Sequence, residues 1–329
     1  MDVSRLNFRR LRPLRATAAD RDKNAEVSLA PTDFILPFFV VEGTGVDHPL
    51  PTLHGVSHLS IDRLVAAARQ ARDAGVDKVL LFGVIDAGKG PGAPEAVRPD
   101  SLVARAVAAL KKALPDLTVF TDVCVCAYTD HGHCGVLKGT EIDNDASLPL
   151  LAEMALGHAR AGADFVAPSA MMDGQVAAIR ARLDEEGFQA TKVLGYSAKY
   201  ASKLYGPFRD AAGSAPSFGD RKSYQMDPRN RVQGVEEAAA DLAEGAAWVM
   251  VKPSTFYLDV LSAVKDRFPV VPLAAYHTSG ETMMLRHGAA AGLFDWKDAL
   301  LENLYAIKRA GADFIISYNA VEAAGFLKK

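Results

Sequence analysis

From Phe34 onward the chain repeats one theme, a short apolar run rich in β-branched and aromatic residues followed by a longer amphipathic stretch. The eight runs are Phe34 to Val41, Lys78 to Ile85, Leu117 to Val125, Asp164 to Ser169, Lys192 to Ala198, Ala247 to Lys252, Val270 to Tyr276 and Asp313 to Tyr318. Their apolarity is near-continuous rather than alternating, as expected of parallel strands covered on both faces. Between the first two, Ile61, Leu64, Val65 and Ala68 keep helical spacing behind Ser60, which is placed to cap that helix. One helix-to-strand joint recurs as Asp73-Ala74-Gly75-Val76-Asp77, Arg160-Ala161-Gly162-Ala163-Asp164, Glu244-Gly245-Ala246-Ala247 and Arg309-Ala310-Gly311-Ala312-Asp313. Glycine there suits a left-handed helix end before the next strand. Eight such units over about 290 residues predict a (β/α)8 TIM barrel spanning 31–329. Periodicity does not show closure, so a doubly wound open sheet stands as the alternative.

The first thirty residues fall outside this theme: Arg5, Arg9, Arg10, Arg12 and Arg15 crowd a stretch of weak apolar periodicity. We read an extended arm, either solvated or packed on a neighbouring subunit; Asp20, Asp22 and Glu26 argue against a transit peptide. With 37 Lys and Arg against 40 Asp and Glu, the net charge of −3 gives no field to attract nucleic acid or an anionic membrane. No apolar run approaches the ~18–20 residues of a membrane span and no signal-peptide block opens the chain, so a cytoplasmic location is expected. Two loops are long. Asp86 to Pro99 is Gly-rich, lacks a phosphate-loop ending and reads as mobile, whereas Lys199 to Asn230 reads as a lid over the C-terminal mouth of the barrel.

Lys199 and Lys252 each close an apolar run, on strands five and six. Strands lie ~4.8 Å apart. Two ammonium groups about 5 Å apart repel by roughly 3 kcal/mol at an effective ε of 20, or about 2 pK units. One amine is therefore expected to be largely neutral, able to attack a ketone and form an imine. All three cysteines, Cys124, Cys126 and Cys134, fall within eleven residues beside His131 and His133. If strand three ends at Cys126 and the chain turns back at Gly132, three thiolates converge and leave zinc one open position, with either histidine a substitute ligand. Asp122 is placed to hold a metal-bound water or a substrate amine, or simply to accept backbone hydrogen bonds. Arg209 and Arg221 in the lid offer forks for a carboxylate, and Ser279 and Tyr318 offer hydroxyls after strands seven and eight. A small keto acid fits this set.

The segments Cys124 to Cys134, Ala167-Pro168-Ser169-Ala170-Met171-Met172-Asp173-Gly174, Tyr196 to Ser202, Tyr205 to Ala212, Phe218-Gly219-Asp220-Arg221 and Val249 to Pro253, in this order, resemble the porphobilinogen synthase (5-aminolevulinate dehydratase) family. The resemblance implies condensation of two 5-aminolevulinate molecules to porphobilinogen with loss of two waters, in tetrapyrrole (heme) biosynthesis. It implies Lys252 as principal Schiff-base lysine and Lys199 as the second, with Ser279 and Tyr318 on the first substrate's carboxylate and Arg209 and Arg221 on the second's. It further implies catalytic zinc on Cys124, Cys126 and Cys134 near Asp122 and Ser169, an allosteric magnesium at Glu237, and a homo-octamer joined through the arms. Ala170 and Ala247 depart from the family pattern without removing a catalytic group, and the pair His277-Thr278 departs from it where the first substrate's carboxylate is expected to pack. Two other readings are a single-lysine class I aldolase, which leaves the cysteines and one lysine idle, and a non-catalytic metal-sensing barrel.

Overall fold

The computed structural model describes residues 6–328, so Met1 to Arg5 of the expected arm and Lys329 lie outside the described residues. Every expected run forms a strand: β1 (Phe34–Val40), β2 (Lys78–Gly83), β3 (Thr118–Val123), β4 (Phe165–Pro168), β5 (Lys192–Lys199), β6 (Trp248–Lys252), β7 (Leu273–His277) and β8 (Phe314–Ser317). Neighbours pair in parallel in chain order, and β8 returns to β1 through Phe34 opposite Ile315 and Ile35 opposite Ile316. The sheet is thus a closed (β/α)8 barrel, and the open-sheet alternative is excluded. At the four recurring joints Gly75, Gly162, Gly245 and Gly311 take φ of 98°, 101°, 105° and 111°. The first shows the reason: Val76 N–H returns to the Ala71 carbonyl at 2.9 Å, which only a left-handed residue between them permits.

Side chains divide by strand parity. Phe34, Leu36, Phe38 and Val40 pack outward against the helices, while Ile35 and Phe39 point into the barrel. The N-terminal end of the interior is filled by Phe120, Phe165, Trp248 and Phe314, whose consecutive ring centroids lie 4.3, 4.7 and 4.2 Å apart. That aromatic floor leaves polar side chains room only at the opposite rim, where barrel active sites form.

Two local expectations change. Ser60 does occupy the N-cap of the helix Ile61–Asp73, but its hydroxyl does not cap it. It binds Asp62 Oδ1 (2.6 Å) and accepts the Val46 N–H (2.9 Å), tying the helix start to the preceding loop. The arm is not wholly extended either. Thr17 and Asp20 cap each other reciprocally and start a short helix, Ala18–Lys23, while Leu6, Phe8, Leu11 and Leu14 stay exposed. Among the described residues no helix is long and apolar enough to cross a membrane.

Candidate active site

Strands β5 and β6 start in regular register, Leu194 opposite Trp248 and Gly195 opposite Val249. A regular ladder would then set Lys252 against Ala198. A bulge between Val249 and Val251 absorbs one extra residue of β5, so Lys199 faces Lys252 instead. Both lysines are buried and both amines face the Tyr196 ring, at 5.7 Å for Lys199 and 5.2 Å for Lys252. Lys199 Nζ donates to the Ser169 carbonyl, whereas the Lys252 amine lies 4.0 Å from the centre of the Tyr276 ring.

Burial, and then the Lys199 charge, lowers the Lys252 pKa to about 7. Mutual repulsion was the cause expected from sequence; the loss of water around the amine is the larger one. Because the neutral form is the nucleophile, reactivity rises as pH passes upward through about 7. The neutral fraction grows from about a tenth at pH 6 to about nine-tenths at pH 8. The initial rate of borohydride-trapped ketone addition at Lys252 is expected to grow about tenfold over that interval, measured by peptide mass; a flat profile would show an amine with an ordinary pKa.

Asp122, at the end of β3, lies beside these amines with Oδ1 buried and unpaired. Burial raises its pKa to about 6 against the Ser169 hydroxyl and the two lysines, which favour the charged form. It therefore exchanges a proton near neutral pH, and it faces side chains rather than backbone donors. The three cysteines converge as expected, buried and with all sulfurs within 4.8 Å of one another, the Cys124 and Cys126 sulfurs 3.3 Å apart. Their local backbone differs from expectation: β3 stops at Val123, and Cys126 sits in the tight turn Val125–Ala127. Hydrogen bonds from Cys124 and Cys126 hold the Cys134 thiol well below its ordinary pKa. Three soft donors converging in a buried pocket suit a thiophilic metal. Neither histidine joins them. His133 uses both ring nitrogens on the lid, Nδ1 to Tyr224 Oη and Nε2 to the Phe218 carbonyl, each at 3.1 Å, and His131 Nδ1 accepts the His133 N–H.

The lid closes onto this cysteine loop. Arg221 is buried and donates to the carbonyls of Gly132 (2.9 Å) and Ser214, and the Ser217 N–H reaches the His131 carbonyl at 3.0 Å. Gly132 has φ of 70°, and a β-carbon there would collide with the Ala215 carbonyl, so glycine is required for the lid to approach. Arg209 lies on the lid helix Gly206–Ala211, its Nε buried without a partner; burial and then the Arg221 charge lower its pKa. Lys199, Lys252, Asp122, Ser169, Cys126 and Arg221 line one cavity of about 20 Å³. Arg209, Ser279 and Tyr318 do not reach it. The Ser279 hydroxyl accepts the Phe208 N–H at 3.0 Å, and Tyr318 Oη pairs with Tyr276 Oη at 3.1 Å. Phe208 lies between, its ring 5.0 Å from the Lys252 amine and 5.0 Å from the Phe82 ring.

Tyr196 and Tyr276, whose rings face the Lys252 amine, and the lining residues Phe208 and Gln225 escaped the sequence reading. The tyrosines follow the inward parity of their strands, which was readable. Gln225, buried with both amide atoms unpaired beside the cavity, carried no signal beyond its place in the lid. Glu237, on the helix Arg231–Ala243, is half-buried. It accepts from Gln233 (3.3 Å) and borders an acidic cavity of about 1150 Å³ with Asp173, Asp241 and Glu244. Among the described residues only the cysteines form a group of three or more ligand atoms close enough to share one metal ion.

A family model described as delta-aminolevulinic acid dehydratase matches residues 8–326. Delta-aminolevulinic acid dehydratase of Halalkalibacterium halodurans is 47% identical over 324 residues, 98% of each chain. That of Methanothermobacter thermautotrophicus is 48% identical over 321 residues, 97% of each. In three dimensions the chain is similar to the crystal structure of delta-aminolevulinic acid dehydratase (porphobilinogen synthase) from Toxoplasma gondii in complex with the reaction product porphobilinogen. The TM-score is 0.95 at 42% identity, covering 97% of this chain and 92% of that one.

Proposed function

This chain belongs to the delta-aminolevulinic acid dehydratase family, and from that membership we propose that it condenses two molecules of 5-aminolevulinate to porphobilinogen with loss of two waters, through imines on Lys252 and Lys199. It is a hydro-lyase of tetrapyrrole biosynthesis. The observation that carries the proposal is the pairing of Lys199 with Lys252 at a buried rim beside Asp122 and three converging sulfurs.

The neutral Lys252 amine adds to the ketone carbon of the first substrate; a carbon–nitrogen bond forms, the carbon–oxygen bond breaks and water leaves. Ser279 and Tyr318 hold that substrate's carboxylate, and Lys199 holds the second substrate's ketone. Arg209, Arg221 and the unpaired Gln225 amide receive the second carboxylate. Asp122, poised near pH 6, takes and returns the protons released as the new bonds form, with Ser169 orienting it. A cavity of about 20 Å³ admits little more than one water, so Phe208 and the lid must withdraw for substrate to enter and then return to exclude solvent.

Cys124, Cys126 and Cys134 fit zinc by donor type and count, leaving one position open. When bound there, zinc supplies Lewis-acid polarisation of the second substrate. The exposed apolar side chains of the arm, Leu6, Phe8, Leu11 and Leu14, suit burial against another copy, which supports a homo-oligomer, an octamer by family analogy, in the cytoplasm. The test is an assay of the purified chain with 5-aminolevulinate and an aldehyde reagent that colours pyrroles. One pyrrole per two substrates consumed is expected. Substrate loss without pyrrole would overturn the proposal.

A further inference from the structure

Glu281 lies in the first turn of the helix Ser279–Ala290 and is 2% exposed. Its Oε2 accepts the Thr278 N–H and hydroxyl, both at 2.6 Å, which completes a helix cap. Its Oε1 points elsewhere. It accepts the Ser254 N–H (3.1 Å), the Ser254 hydroxyl (3.3 Å) and the Thr255 N–H, all from the segment leaving β6. Among the described residues no cation pairs with it, so five neutral donors satisfy one carboxylate. A cap needs only one of those oxygens; the other bridges two neighbouring strand exits. Ser254 follows Lys252 by two positions, and Thr278 immediately precedes Ser279.

We propose that Glu281 is a positioning residue that fixes the span between the Lys252 amine and the Ser279 hydroxyl, and so selects ketones that carry a carboxylate at matching reach. This rests on the roles given above to Lys252 and Ser279. A side chain able to accept at both oxygens is required. In Glu281→Gln one end becomes a donor facing donors, so one strand exit is released while volume is kept.

The experiment compares borohydride trapping at Lys252 by levulinate and by butanone, which has the ketone without the carboxylate, in the full-length metal-loaded protein. The wild type is expected to trap levulinate at far lower concentration than butanone. Glu281→Gln should lose about tenfold of that preference, with the butanone concentration dependence unchanged. General loosening of the site would weaken both ketones together and leave the ratio intact, and an intact ratio overturns the inference. If Glu281→Gln does not fold, Ser254→Ala removes one donor and keeps the carboxylate. About a threefold loss of the same ratio is then expected, and no loss overturns the inference. Absence of any Lys252 adduct in the wild type would instead strike the proposed function itself.

Discussion

Lys252→Met is expected to lower turnover of 5-aminolevulinate by roughly 10⁴-fold or more, because no other group at the rim supplies a nucleophilic amine in the same place. Methionine keeps an unbranched stem of similar length against Tyr196, Tyr276 and Phe208, so packing is preserved. Stability should hold or rise. The native lysine is a buried amine whose charge burial and Lys199 both disfavour, and removing it relieves that cost. Loss of activity with an unchanged or higher Tm separates chemistry from folding. Lys199→Met should retain trapping of substrate at Lys252 while failing to form product, since only the second imine is lost. Equal, mild effects of both substitutions would contradict the assigned roles.

Cys126→Ser is expected to abolish stoichiometric metal binding and to lower activity by about 10²-fold or more. A hydroxyl is a harder and far less acidic donor than a thiolate, so two sulfurs are left where three converge. The consequence should extend beyond the sulfurs. The loop carrying Cys134 also carries the His131 and Gly132 carbonyls and the His133 ring, which together receive Ser217, Arg221, Phe218 and Tyr224 of the lid. Metal removal from the wild type, or the serine variant, should therefore speed proteolysis within residues 214–225 while the barrel stays intact. Full activity after chelation, with zinc absent by elemental analysis, would contradict the metal's place in the reaction.

The barrel was legible because its strands are buried on both faces, which turns each into a near-continuous apolar run, and four of these runs follow a glycine-capped helix end. Lys199 and Lys252 were legible as strand-end residues. Their direct opposition was not, since a regular ladder would have paired Lys252 with Ala198, and a one-residue bulge leaves no mark in composition or periodicity. The cysteine cluster was readable from spacing alone, although β3 ends earlier than its apolar run suggested and a tight turn brings Cys126 round. His133 shows the limit of spacing. Its position beside three cysteines is that of a ligand, and only the closed lid reveals that both ring nitrogens are already engaged. Glu281 reads in sequence as an ordinary capping glutamate; its reach to Ser254 depends on two strand exits lying side by side.

The most direct test of the paired-lysine site is to reduce the protein with borohydride in the presence of 5-aminolevulinate and map the added mass by peptide. A single substrate-derived adduct on Lys252, absent from Lys252→Met and formed faster at pH 8 than at pH 6, is the predicted result. An unmodified Lys252 in a protein that still turns substrate over, or an adduct on a lysine away from this rim, would contradict it.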